Sequence, residues 1–381
     1  MPDRSPRAPG SHTPCAVAAF LEQSAWGRRI VPAPWLGSWH ATRDGGPARE
    51  PVALPGPATV TGVLPPEVVR TMVWSRLRAL AGEIRGPSAV VWRAFARQWN
   101  LSYTPVVPWP GGQGTTPLGH AARSCAGHGL AWRRLPSGWQ QAPADQVLRG
   151  LRVDPVPRDP VFVREFVRGD EAELACALHH HLRLRSLTET VTECCARLRP
   201  LVVRDPPSDP PVMSAEARLQ VPYALWPAQR ELSALLDEVI RQGDLLVHEA
   251  ECRTEHRARA IVRASEFQVR GAGMLAFFAM QQLRPALRAR DHGGRSSQGR
   301  RPDRGPGGDD DVIAAAGARL AAIRSLRQEG AHGSSSITHA LEALDHARWT
   351  TTALCTALAG QPGTGCGGDP PALGGAWTPP A

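Results

Sequence analysis

A helical rhythm runs from Asp170 to Arg290, and it excludes a sheet-dominated fold, because a 3.6-residue period cannot lie flat as a strand. Asp170 followed by Glu173 reads as a cap with an acidic first turn, and Leu174, Leu178 and His181 continue the helix. Ser186 with Glu189 repeats that signature, which predicts a second start that Pro200 closes, and Pro206 to Pro211 reads as a linker. Beyond Trp226-Pro227, Leu232, Leu235, Leu236, Val239, Leu246, Ala250, Ile261 and Val262 predict one long helix or two. The stretch Ala272 to Met280 is apolar all round, which predicts burial, and it is far shorter than the roughly 18 residues of a membrane span.

The flanks follow the same logic. Residues 1–65 are rich in Pro, Gly and Arg without periodicity and read as an irregular arm carrying Trp26, Trp35 and Trp39. From Pro66 the spacing of Val69, Met72, Leu77, Leu80 and Ile84 predicts a helix stopped by Gly86-Pro87. Ser88 is placed as the N-cap of a second helix with an aromatic stripe at Trp92, Phe95 and Trp99. Residues 104–160 are broken by Pro and Gly, and "DPVFVREFVRG" from Asp159 predicts a strand. The expected organisation is therefore an arm (1–65), a mainly helical core (66–290), an Arg/Gly linker (291–308), a C-terminal helical pair (309–360) opened by Asp309, Asp310 and Asp311, and a disordered tail (361–381). In fold class this is mainly α, a helical bundle with long Pro/Gly-rich irregular segments.

Composition removes several chemistries. All 44 basic side chains are Arg, so a Lys-dependent phosphate loop, a Schiff-base enzyme and a protein kinase are all excluded. The formal charge of +9 favours anionic partners. Eight scattered Cys do not form a disulfide framework and read as reduced thiols of an intracellular protein, and the short apolar "CAVAAFL" at Cys15 does not make a signal peptide.

Four sets of residues are candidates for binding. Cys176 and His180, one turn apart, with Cys194 and Cys195 further on, offer zinc's ligand types as a structural site; otherwise no cofactor is expected. "HEAECRTEH" sets His248, Cys252 and His256 at four-residue intervals, but on a straight helix they share the polar face and the outer pair lies about 12 Å apart, so they read as a solvated face. Arg288, Arg290, Arg295, Arg300, Arg301 and Arg304 in the flexible linker could track a phosphate backbone and are the nucleic-acid candidates. The stripe Trp92, Phe95 and Trp99, read first as core, doubles as the candidate partner groove. No local pattern assembles a catalytic trio, and no small-molecule substrate is evident.

Four fragments extend this reading. "RLRALAGEIRGP" followed by "RQWN", "PAQREL" at Pro227, "HEAECR" at His248 and "HGSSSI" at His332 resemble the alphaherpesvirus tegument transactivator family. That resemblance implies a viral tegument adaptor acting on transcription in the host nucleus or cytoplasm, with Ser334, Ser335 and Ile337 as a partner-binding patch. The expectation is a non-enzymatic interaction or scaffold protein with other proteins as partners, the alternative an Arg-rich nucleic-acid-binding regulator.

Overall fold

The computed structural model describes residues 16–26, 62–81, 88–109, 116–136, 138–157, 159–203, 215–252, 256–295, 309–330 and 336–359. The fold is mainly α, as the periodicity predicts. A short helix α1 (Ala16–Leu21) passes into a π-helical turn (Glu22–Trp26), followed by α2 (Pro66–Leu80) and α3 (Ser88–Asn100). A small region combines α4 (Pro117–Cys125), α5 (Ala144–Leu151) and α6 (Pro160–Phe166) with an antiparallel sheet of β1 (Thr104–Pro105), β2 (Leu130–Leu135) and β3 (Gly138–Pro143) in that order. Five longer helices then form a bundle: α7 (Glu171–Val203), α8 (Ala215–Cys252), α9 (Arg257–Arg295), α10 (Asp309–Gly330) and α11 (Ser336–Ala359). Helix α9 packs against each of the other four.

Several local expectations change. The segment from Asp159 is helical, because the Asp159 carboxylate accepts from the Val161 and Phe162 amides, with Pro160 at the first helical position. Its apolar residues alternate, but the helix buries only Phe162 and Phe166 and leaves Val161 exposed. The stretch 104–160, read as irregular, contains a hairpin in which Leu130 pairs with Pro143 and Leu135 with Gly138. Its alternation is hidden by Arg133, Arg134, Gln140 and Gln141, which make both faces polar.

Helix α7 runs unbroken past Ser186 and Pro200. The hydroxyls of Thr188, Thr190 and Thr192 each return to the carbonyl four residues earlier, so the polar cluster stays within the helix instead of starting a new one. The long apolar run 230–262 is two helices, with α8 ending at Cys252 and α9 starting at Arg257. Within Ala272 to Met280, Leu275, Ala276 and Ala279 are fully buried, while Met274 and Phe277 reach the surface. Gly271 lets α9 approach α7 closely, since a Cβ there would lie 2.9 Å from a Leu184 methyl.

Candidate active site at the α2–α7 junction

Helix α2 has no wet face in its first half: Pro66 to Trp74 are all buried, including Glu67, Arg70 and Thr71. It packs against α7, α3, α4 and α6. Arg70 and Thr71 are held by different elements. Arg70 stacks its guanidinium 4.4 Å over the Trp99 ring and donates twice to the Trp99 carbonyl at 3.3 Å. The Trp99 indole N–H returns a bond of 3.1 Å to the Arg70 carbonyl. Thr71 Oγ1 bonds Ser24 Oγ at 3.1 Å and His179 Nε2 of α7 at 3.2 Å.

Glu67 is the chemically unusual member. Burial pushes its carboxyl up to about 7, against the opposing pull of its backbone hydrogen bond and of Arg70 and Arg134. Burial likewise draws Arg70 down to about 9, with Glu67 opposing. Glu67 Oε1 has no hydrogen-bond partner among the described residues. A carboxyl that holds its proton near neutral pH beside a guanidinium is suited to give and take one proton. His179 is pushed down to about 4 by burial, with a bond to the Glu67 backbone opposing, and is therefore a neutral ring.

A second cluster clamps the start of α7. Arg76 donates from Nε to the Phe166 carbonyl at 3.1 Å and pairs with Glu171 at 3.3 Å. Arg257 of α9 pairs with Glu171 at 3.0 Å and also with Asp170. Gly169 has φ of +152°, and a Cβ there would lie 2.0 Å from Glu171 Oε2, so the close turn before α7 requires glycine.

The sequence candidates fall elsewhere. Trp92, Phe95 and Trp99 are at most 3% exposed and belong to the core, not to a partner groove: Trp92 donates to the Leu77 carbonyl at 2.9 Å, and Phe95 packs on Phe162 and Phe166. Ser88 is the first residue of α3, and its hydroxyl bonds Asp159 at 2.7 Å. Ile337 is buried in the core, and Ser334 and Ser335 lie outside the described residues. Arg288, Arg290 and Arg295 continue α9, while Arg300, Arg301 and Arg304 lie outside the described residues.

The metal candidates are not brought together. Cys176 and Cys194 stand eighteen residues apart on the one helix α7, about 27 Å along its axis, too far for one ion. Among the described residues no group of three or more His, Cys, Asp or Glu could hold a metal. His248 and His256 are both exposed, on either side of the break between α8 and α9.

Glu67, Arg70, Thr71 and His179 escaped the sequence reading. Glu67 reads as an ordinary acidic first turn after Pro65-Pro66, and Arg70 as a solvated face. The available signal was the run from Val68 to Trp74, whose apolar residues leave α2 too narrow a polar face to stay in water.

The mainly α architecture is one that the comparisons also find. The family described as aromatic amino acid lyase matches residues 56–199, which span α2, the sheet and most of α7. Among solved structures, histidine ammonia-lyase from Trypanosoma cruzi superposes with a TM-score of 0.57 at 15% identity, covering 80% of this chain and 68% of that one. Phenylalanine ammonia-lyase from the yeast Rhodosporidium toruloides gives 0.51 at 18% identity, covering 90% of this chain and 59% of that one. Tyrosine aminomutase from Streptomyces globisporus gives 0.52 at 17% identity, covering 80% and 70%. A comparison with curated proteins returns no match.

These findings overturn the tegument resemblance, whose four fragments are short pieces in a chain of biased composition, and with it the scaffold, transcription and nucleic-acid readings. The family match and the lyase and aminomutase neighbours correct the expectation of a non-enzymatic protein, and with it the expectation that no small-molecule substrate is involved. No helix among the described residues is long and apolar enough to cross a membrane.

The expectation of no cofactor is likewise corrected, because the ammonia-lyase family carries MIO, a prosthetic group formed from the enzyme's own chain. Building its methylidene requires a serine able to lose water, followed by a residue whose amide nitrogen can close a ring. The matched residues contain Ser75, Ser88, Ser102, Ser124, Ser137 and Ser186. Ser75, Ser124 and Ser186 lie inside helices, where the backbone is committed to helical bonds, and Ser88 opens α3 with its hydroxyl donated to Asp159. Ser102 is followed by Tyr103, whose amide donates to the Gln98 carbonyl at 3.0 Å. Ser137 precedes Gly138, which pairs with Leu135 at the end of the hairpin. The glycine-rich connection before α4, Pro110-Gly-Gly-Gln-Gly-Thr115, contains no serine. The residues present do not fit the group.

Proposed function

We propose that the protein is an enzyme of the aromatic amino acid lyase kind, acting on an aromatic amino acid or close analogue by acid–base chemistry at the α2–α7 junction. The observation that carries this reading is coincidence: the family match over residues 56–199 contains every member of the Glu67, Arg70, Thr71 and His179 cluster. Glu67 is the proton-transfer group, kept protonatable near neutral pH by burial. Arg70, fixed by Trp99, supplies the positive charge that stabilises a carboxylate. His179 and Thr71 hold the two helices in register around that pair. No step is assigned to MIO, which these residues do not fit.

The test is turnover. Purified full-length protein is incubated with histidine, phenylalanine and tyrosine, and ammonia, unsaturated acid and β-amino acid are each quantified. Conversion of one of these, reduced at least tenfold in Glu67→Gln with the fold retained by circular dichroism, supports the reading. Absence of conversion across the panel, or equal conversion by Glu67→Gln, overturns it.

A further inference from the structure

Three thiols meet where α7 packs against α11. Cys194 and Cys195 are each 5% exposed, and Cys355, on the opposite helix, is half-buried. The Sγ atoms of Cys194 and Cys355 lie 2.6 Å apart across 161 positions of sequence, closer than two unbonded sulfurs pack and not far beyond a covalent S–S bond. Cys195 is near enough to feel Cys355 electrostatically, but its side chain belongs to the neighbouring apolar cluster of Leu232 and Leu275. Cys194 belongs to an apolar cluster with Ala279, Leu283 and Leu354, against which Cys355 also packs. Cys125 and Cys176, by contrast, are sealed in the core with thiols pushed up by burial.

We propose that Cys194 and Cys355 form a redox pair that closes into a disulfide under a peroxide-class oxidant and cross-links α7 to α11. The more exposed Cys355 reacts first: its sulfur attacks the peroxide oxygen, giving a sulfenic acid, and the departing hydroxide takes the thiol proton to leave as water. Cys194 then displaces hydroxide from the Cys355 sulfur, the S–S bond forms, and its own proton completes a second water. Two thiols lose two electrons and one peroxide gains them. The bridge would close a loop of more than 150 residues containing α8, α9 and α10, so it removes freedom from the unfolded chain and not from the folded one.

The experiment treats full-length protein with equimolar hydrogen peroxide, blocks remaining thiols with iodoacetamide, and maps peptides without reductant. The expected result is a peptide joining residue 194 to residue 355 that is lost on reduction, together with a raised Tm. Cys195→Ser should retain the link and Cys194→Ser should lose it. Recovery of both peptides singly alkylated, or a link in Cys194→Ser made through Cys195, overturns the assignment. These readouts are independent of turnover, so the proposal stands or falls apart from the enzymatic reading.

Discussion

The region from residue 62 to Phe166 and the bundle from α7 to α11 bury polar groups in opposite ways. In the first, buried donors reach across to another element: Tyr103 bonds the Ser124 carbonyl, Gln98 bonds the carbonyls of Cys125 and Asp154, and Trp92 bonds Leu77. In the second, Ser265, Thr350 and Thr351 bond back to the carbonyl four residues earlier in their own helix. Gln268 to Ala177 and His181 to Val239 do cross between helices, on the stretch of α7 that also meets α2. A polar group bonded within its own helix is indifferent to its neighbours, whereas one bonded across elements fixes a geometry, and only the latter can build a site. The lesson is that the bundle supplies a rigid wall and the smaller region supplies the chemistry.

The comparison can be broken most severely at Glu171. Glu171→Ala leaves Arg76 without its carboxylate partner and Arg257 with Asp170 alone, with an expected loss of about 3–5 kcal/mol in urea unfolding. Trp92→Ala removes a ring that is 1% exposed and its bond to the Leu77 carbonyl, again at about 3–5 kcal/mol. In the bundle, Leu344→Ala should cost about 2–5 kcal/mol, from cavity formation alone. Thr351→Val should be nearly neutral by comparison, because its hydroxyl serves only its own helix. A large loss in Thr351→Val would remove the distinction between the two regions.

A pH series sharpens the contrast further. The folded carboxyl of Glu67 titrates at about 7, above its ordinary 4.5, so the folded state binds more protons over that window and stability contributed by this group falls as pH rises through it. His179 works in the opposite sense: its folded value of about 4 lies below the ordinary 6.5, so its contribution is present above that value and is lost as pH falls towards 4. Glu67→Gln should therefore flatten the stability decline between about pH 5 and 7, measured by thermal unfolding across pH. An unchanged decline would place Glu67 in water. Asp159→Ala, which loses the α6 cap and the Ser88 bond, should cost about 1 kcal/mol, a small effect that still exceeds that of Thr351→Val.

How much of this was legible follows the same division. Bundle positions such as Leu232, Val239, Leu246 and Ile261 are visible because apolar packing leaves a period in the sequence, and they are buried. The hairpin was hidden because Arg133, Arg134, Gln140 and Gln141 give its strands no apolar alternation. The candidate site was hidden for a deeper reason: Glu67 and Arg70 on α2 lie far in sequence from His179 on α7, and all three are common residue types, so only burial makes them unusual. The aromatic stripe was correctly periodic, yet its partners, Phe162 and Phe166, lay in a segment read as a strand.

This chain combines the ammonia-lyase fold with a matched region whose serines do not fit that family's prosthetic group. Intact mass spectrometry of the purified protein, followed by peptide mapping of residues 56–199, tests it most directly. The account predicts the full mass expected from the sequence, with the peptides containing Ser102, Ser137 and the 110–115 connection recovered unmodified. A deficit equal to two waters, located in any of those peptides, would contradict it.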